Sequence, residues 1–88
     1  MKFDITRTYR EHWFSVGIER STGRHFLAFP VSVGVADYME YYAITPAEYH
    51  SYVVDPSTAL AFAEECRSRL HDDLLFIPPP LKNRGSAR

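Results

Sequence analysis

The 88 residues predict an α+β domain: a small antiparallel β-meander of three or four strands, with two consecutive helices packed on one face. Three observations carry that expectation. Apolar and polar residues alternate through several segments of the first half, the period of a half-buried strand. Two segments of the second half open on a capping residue followed by proline, Thr45-Pro46 and Asp55-Pro56. Pro78, Pro79 and Pro80 then end regular structure, so residues 1–77 read as one domain and 78–88 as a Pro-rich, then basic, flexible tail.

Phe3 and Ile5 alternate with Lys2, Asp4 and Thr6 as a short first strand. In residues 13–20 the alternation sharpens, with Phe14, Val16 and Ile18 on one side and Trp13, Ser15, Gly17 and Glu19 on the other. Small polar residues around Gly23 form a hairpin loop, and residues 25–33 return with Leu27, Phe29, Val31 and Val33 in register. Pro30 interrupts that strand and, lacking an N–H, belongs at a bulge or an unpaired edge. A bend over residues 34–37 leads to a strand at 38–44, with Tyr38, Glu40, Tyr42 and Ile44 on one side and Met39, Tyr41 and Ala43 on the other.

Thr45-Pro-Ala-Glu48 combines a threonine cap, a proline at the first helical position and a glutamate able to reach back to the cap amide. The helix it opens stops near Val54, because the residue before Pro56 resists helical geometry. A second helix follows Asp55-Pro56, with Ala59, Phe62, Ala63, Cys66 and Leu70 forming its apolar stripe. Residues 74–77 read equally as a last strand or as a segment laid along the core.

Several function classes are disfavoured by composition. One cysteine, Cys66, permits no intrachain disulfide, and there is no apolar run of membrane-spanning length and no signal-peptide pattern, so a cytoplasmic location is expected. The four histidines lack metal-ligand spacing, Cys66 falls on the buried stripe, and the four glycines form no phosphate loop. No catalytic residue, metal or cofactor is expected. His71-Asp72-Asp73 reads as a helix end with histidine answering the dipole and solvated aspartates beyond it. A pI near 6.4, with no RNA-binding signature string, argues against direct nucleic-acid contact.

What remains is the charge pattern. Residues 36–73 carry eight carboxylates against two arginines, Arg67 and Arg69, with Tyr38, Tyr41, Tyr42, Tyr49 and Tyr52 among them. So small a core is not expected to bury all five rings, so some should face outward among carboxylates and form a contact surface for a basic partner.

The layout Asp37-Tyr-Met-Glu-Tyr-Tyr42, the capped Thr-Pro-Ala-Glu-Tyr49 helix, Ala-Phe-Ala-Glu-Glu-Cys-Arg67 and His-Asp-Asp-Leu-Leu75 resembles small bacterial immunity proteins. These are the partners of contact-dependent growth-inhibition and related polymorphic toxins. The resemblance implies a non-catalytic inhibitor that binds the basic surface of one cognate toxin domain, often a nuclease, as a monomer or weak homodimer. An acidic inhibitor competes for the field that a nuclease presents to its polyanionic substrate. Expected contacts are Asp37, Tyr38, Glu40, Tyr42, Glu48, Tyr49, Glu64 and Asp72. Two other readings stand beside it: a small enzyme or ligand-binding module in which His25, His50 or His71 converge with a carboxylate, and a self-associating accessory domain.

Overall fold

The computed structural model describes residues 1–33, 36–78 and 86–87. Four strands, β1 (Phe3–Tyr9), β2 (Phe14–Glu19), β3 (Arg24–Val33) and β4 (Ala36–Ile44), form an antiparallel meander in the order β1-β2-β3-β4. Helices α1 (Pro46–Val54) and α2 (Leu60–Arg67) follow, joined by a 3₁₀ turn at Pro56–Ala59. The sequence expectation of an α+β meander with two helices on one face is met. Of the bend expected at 34–37, residues 34 and 35 lie outside the described residues, and β4 is already extended at Ala36.

Alternation decides what each face of the sheet holds. Phe14, Val16, Leu27, Phe29, Val31, Tyr42 and Ile44 face the helices and are buried against Tyr52, Ala59, Ala63 and Cys66. The small residues Ala59, at the end of the 3₁₀ turn, and Ala63, on α2, let this stretch lie close to the sheet, while Tyr52 supplies the bulk from α1. Both helix starts are local in origin. Thr45 Oγ1 accepts from the Glu48 amide at 3.0 Å and Glu48 Oε1 accepts from the Thr45 amide at 2.8 Å, closing a capping box. Asp55 Oδ1 accepts from the Ser57 amide at 3.1 Å.

The opposite face carries a second, aromatic cluster. Phe3 stacks on Tyr41 at 3.7 Å between ring centres and meets Phe26 and Phe76 edge-on, each at 5.4 Å. Gly17 makes this possible: a Cβ there would lie 2.1 Å from the Asp4 carbonyl oxygen and 2.6 Å from the Phe26 ring. Residues 74–77 take the second of the two expected forms, a segment laid along the core, with Leu74 and Leu75 packed against the main cluster and Phe76 against Phe3. Leu74 closes a 3₁₀ turn (Asp72–Leu74), Leu75 makes a single bridge to Tyr42, and the Phe76 amide donates to the Tyr41 carbonyl at 3.0 Å.

Three local details differ from the sequence reading or sharpen it. Trp13 is not in β2; it follows a 3₁₀ turn (Arg10–His12) in the left-handed conformation. Pro30 sits in a gap in the ladder on one side of β3, because β2 pairing ends at Ala28 and a two-residue strand, β5 (Ser86–Ala87), pairs only with Val31 and Ser32. That pairing falls inside the segment expected to trail free. The stripe of α2 ends before Leu70, because the chain leaves the helix after Arg67 and Arg69 turns left-handed at φ 64°, leaving Leu70 exposed.

Glu19 holds the β2–β3 hairpin and the chain start together. Its carboxylate is fully buried and accepts from the Ser21 and Thr22 hydroxyls, their two amides and the Lys2 amide. The Ser21 hydroxyl foremost, then the Lys2 and Ser21 amides, hold its pKa far below the ordinary value near 4.5 and outweigh the opposing effect of desolvation. A carboxyl depressed in the folded chain stabilises the fold above its unfolded pKa and loses that contribution as pH falls through the folded value. Thermal melts are therefore expected to hold their midpoint from about pH 7 to about pH 5.5 and to drop progressively below about pH 4.5. Glu19→Gln should melt lower at neutral pH and show a shallower acid limb.

Candidate functional site

The eight residues expected to contact a partner do not form one surface. Alternation along β4 sends Asp37 to the face away from the helices, where Ser32 Oγ donates to its carboxylate at 3.1 Å. Tyr38, Glu40 and Tyr42 point the other way, beneath the helical layer. Tyr42 is fully buried and Glu40 is 6% exposed. The Tyr42 hydroxyl donates to Glu40 Oε1 at 2.8 Å, and the Tyr38 hydroxyl donates to Oε2 at 3.3 Å. Here the expectation of an outward tyrosine-carboxylate surface is corrected: burying a carboxylate requires donors, and these phenols supply them.

Glu48 is committed to the capping box, and Tyr49 ties α1 to the sheet. The Tyr49 hydroxyl shares a hydrogen bond with Thr6 Oγ1 at 2.7 Å, and its ring lies 4.5 Å from that of His25. A register shift between Ile5 and Arg7 places Thr6 at a bulge, where its hydroxyl also donates to the Val16 carbonyl. Asp72 opens the 3₁₀ turn and is half-buried. Glu64 is exposed on α2. None of the five tyrosines between residues 36 and 73 is fully exposed: Tyr42 and Tyr52 are buried, and Tyr38, Tyr41 and Tyr49 are half-buried.

The helical layer nevertheless keeps its charge. Asp55, Glu64, Glu65 and Asp73 are exposed. Of the two arginines, Arg69 is exposed and Arg67 is turned inward: its Nη2 donates to the His12 and Trp13 carbonyls, each at 2.9 Å, its guanidinium lies 5.2 Å from the centre of the Phe29 ring, and its Nη1 is 3.9 Å from Glu64 Oε2. His71 Nε2 meets Glu65 Oε1 at 2.7 Å while its ring stacks on Phe62, which draws the 71–73 turn alongside α2. Glu65 of the second helix and the turn after it are thus neighbours. Glu65 and Asp73, absent from the expected contacts, were present in the sequence as members of acidic pairs.

A second feature lies at the β1–β2 turn. Thr8, Tyr9, Arg10, Trp13, Phe14, Ser15 and Pro30 line a concavity of about 310 Å³. Trp13 is 59% exposed at its edge, with φ 61° and ψ 35°. A left-handed conformation costs a non-glycine residue on the order of 1–3 kcal/mol. The double hydrogen bond from Arg67 to the turn's carbonyls helps to hold it.

Burial foremost pushes the Cys66 thiol up to about 12, so it remains protonated and closed to solvent. Among the described residues no hydrogen bond or ring contact joins two histidines: His12 packs on Phe14, His25 on Tyr49, His71 on Phe62 and Glu65, and His50 is exposed. Among the described residues no group of three or more His, Cys, Asp or Glu is placed to hold a metal ion, and no helix is long and apolar enough to cross a membrane. Comparison with known proteins finds no matching family model, no matching curated protein and no matching solved structure.

Proposed function

We propose that this chain is a non-catalytic protein-binding inhibitor of the immunity-protein kind, which neutralises a cationic toxin domain through the carboxylates of its helical layer. One observation carries the reading: Asp55, Glu64, Glu65 and Asp73 are exposed, while of the two arginines beside them only Arg69 is exposed and Arg67 is turned inward onto backbone carbonyls, with a 3.9 Å contact to Glu64. Four exposed carboxylates against one exposed arginine give the layer a negative outward field, and such a field steers association with a basic surface. Tyrosine anchors drop out of the contact set, since their hydroxyls and rings serve the core. Glu64 stays, joined by Glu65 and Asp73, with Asp55 at the junction of the helices.

Co-expression with the toxin domain encoded by an adjacent reading frame tests the proposal. Wild-type chain should restore growth. Glu64→Lys with Asp73→Lys reverses two exposed charges, leaves the Asp55 cap and the Glu65–His71 pair in place, gives up the solvated 3.9 Å contact of Glu64 with Arg67, and should weaken the complex by about 100-fold and fail to rescue. Growth that wild type does not restore contradicts the immunity reading. Equal rescue by a folded double variant contradicts the acidic layer.

A further inference from the structure

We infer that the concavity beneath Trp13 is a binding site for a small amphiphilic carboxylate, a compound with an aromatic or branched aliphatic body and one anionic group. This goes beyond the partner reading and does not depend on it. The turn itself argues for a use. Glycine is the residue that takes a left-handed conformation at no steric cost, yet a tryptophan occupies the position and keeps 59% of its surface in solvent. Folding alone favours neither the strain nor the exposure. Arg67 fixes the turn from behind by donating to the His12 and Trp13 carbonyls, so the indole stands on a held backbone rather than a loose loop.

The lining defines the ligand. Trp13, the half-buried Tyr9 and Pro30 offer apolar and aromatic surface around about 310 Å³, near the lower end of the size range of small-molecule sites. Arg10 is the one charged residue of that lining, and among the described residues it forms no ion pair. A guanidinium beside an apolar hollow pairs best with a planar carboxylate attached to a hydrocarbon body. Thr8 and Ser15, whose hydroxyls lie 3.1 Å apart, add a polar pair able to turn one hydrogen toward an anionic oxygen.

The test is an NMR titration of the full chain with 3-phenylpropionate and with its neutral amide, following backbone amides and the indole N–H of Trp13, the chain's one tryptophan. A ligand of this size is expected to saturate with Kd on the order of 1 mM, shifting Trp13, Arg10 and Ser15. The amide should bind about tenfold more weakly. Arg10→Gln should bring the acid down to the affinity of the amide. Trp13→Gly should melt no lower than wild type and bind the acid at least about tenfold more weakly. Equal affinity for acid and amide, shifts centred elsewhere, no saturation by about 10 mM, or undiminished binding by Trp13→Gly would each overturn the assignment.

Discussion

Gly17→Ala is expected to be the most damaging single-methyl change in this chain. Its Cβ would lie 2.1 Å from the Asp4 carbonyl oxygen, which is backbone of the neighbouring strand, and 2.6 Å from the Phe26 ring. Neither can yield cheaply. Phe26 is held edge-on against the stacked pair Phe3 and Tyr41, and moving β1 away breaks its pairing with β2 and withdraws the Lys2 amide from Glu19. Overpacking against backbone costs about 3 kcal/mol or more, which in a domain of this size lowers the melting midpoint by more than about 10 °C. Gly23→Ala gives the contrast, since open space surrounds its Cβ and only φ 75° opposes it. Its cost should stay near 1 kcal/mol. Thermal melts of the two variants separate the effects, and a Gly17→Ala midpoint equal to that of Gly23→Ala would contradict the close approach of β1.

Tyr42→Ala should be comparably severe. The ring is fully buried, stacks on Phe29 at 5.4 Å, and its hydroxyl lies within reach of both Glu40 and the Cys66 carbonyl. Emptying that volume costs about 3–5 kcal/mol. Tyr42→Phe isolates the polar part: it keeps the ring and removes a donor from a buried carboxylate, at a cost of about 1–3 kcal/mol. Urea titration should place the midpoints in the order wild type, Tyr42→Phe, Tyr42→Ala, with an unchanged slope. A Tyr42→Phe midpoint at or above wild type would mean that Glu40 does not depend on this phenol.

The same two residues show where sequence reading reaches its limit. Alternation correctly placed Tyr38, Glu40, Tyr42 and Ile44 on one side of β4, because side-chain direction in a strand is a local property. It also implied that Asp37 and Tyr38 point to opposite faces, a consequence the expected contact set did not respect. What alternation cannot supply is the identity of the residues opposite. Glu40 reads as a surface carboxylate until the phenols beside it are seen to donate to it. The helix starts were legible for the opposite reason, since a cap and its amides lie within four residues of one another. The end of α2 was misjudged because the stripe continues in sequence to Leu70 while the backbone turns left-handed at Arg69. Trp13 carried a weak signal, a bulky apolar residue next to a strand, and was absorbed into the alternation of β2.

Exposed carboxylates survive as the basis of the proposed function, while the rings between them belong to the core. If the helical layer captures a cationic toxin domain, the rate of encounter must answer to salt, because steering between opposite fields is screened. Stopped-flow association of this chain with the toxin domain from an adjacent reading frame, measured between about 0.05 M and 0.5 M salt, tests that most directly. The account predicts a rate constant that falls by about tenfold or more across this range, and a smaller salt dependence for Glu64→Lys with Asp73→Lys. A rate constant indifferent to salt and to the charge reversal would contradict it.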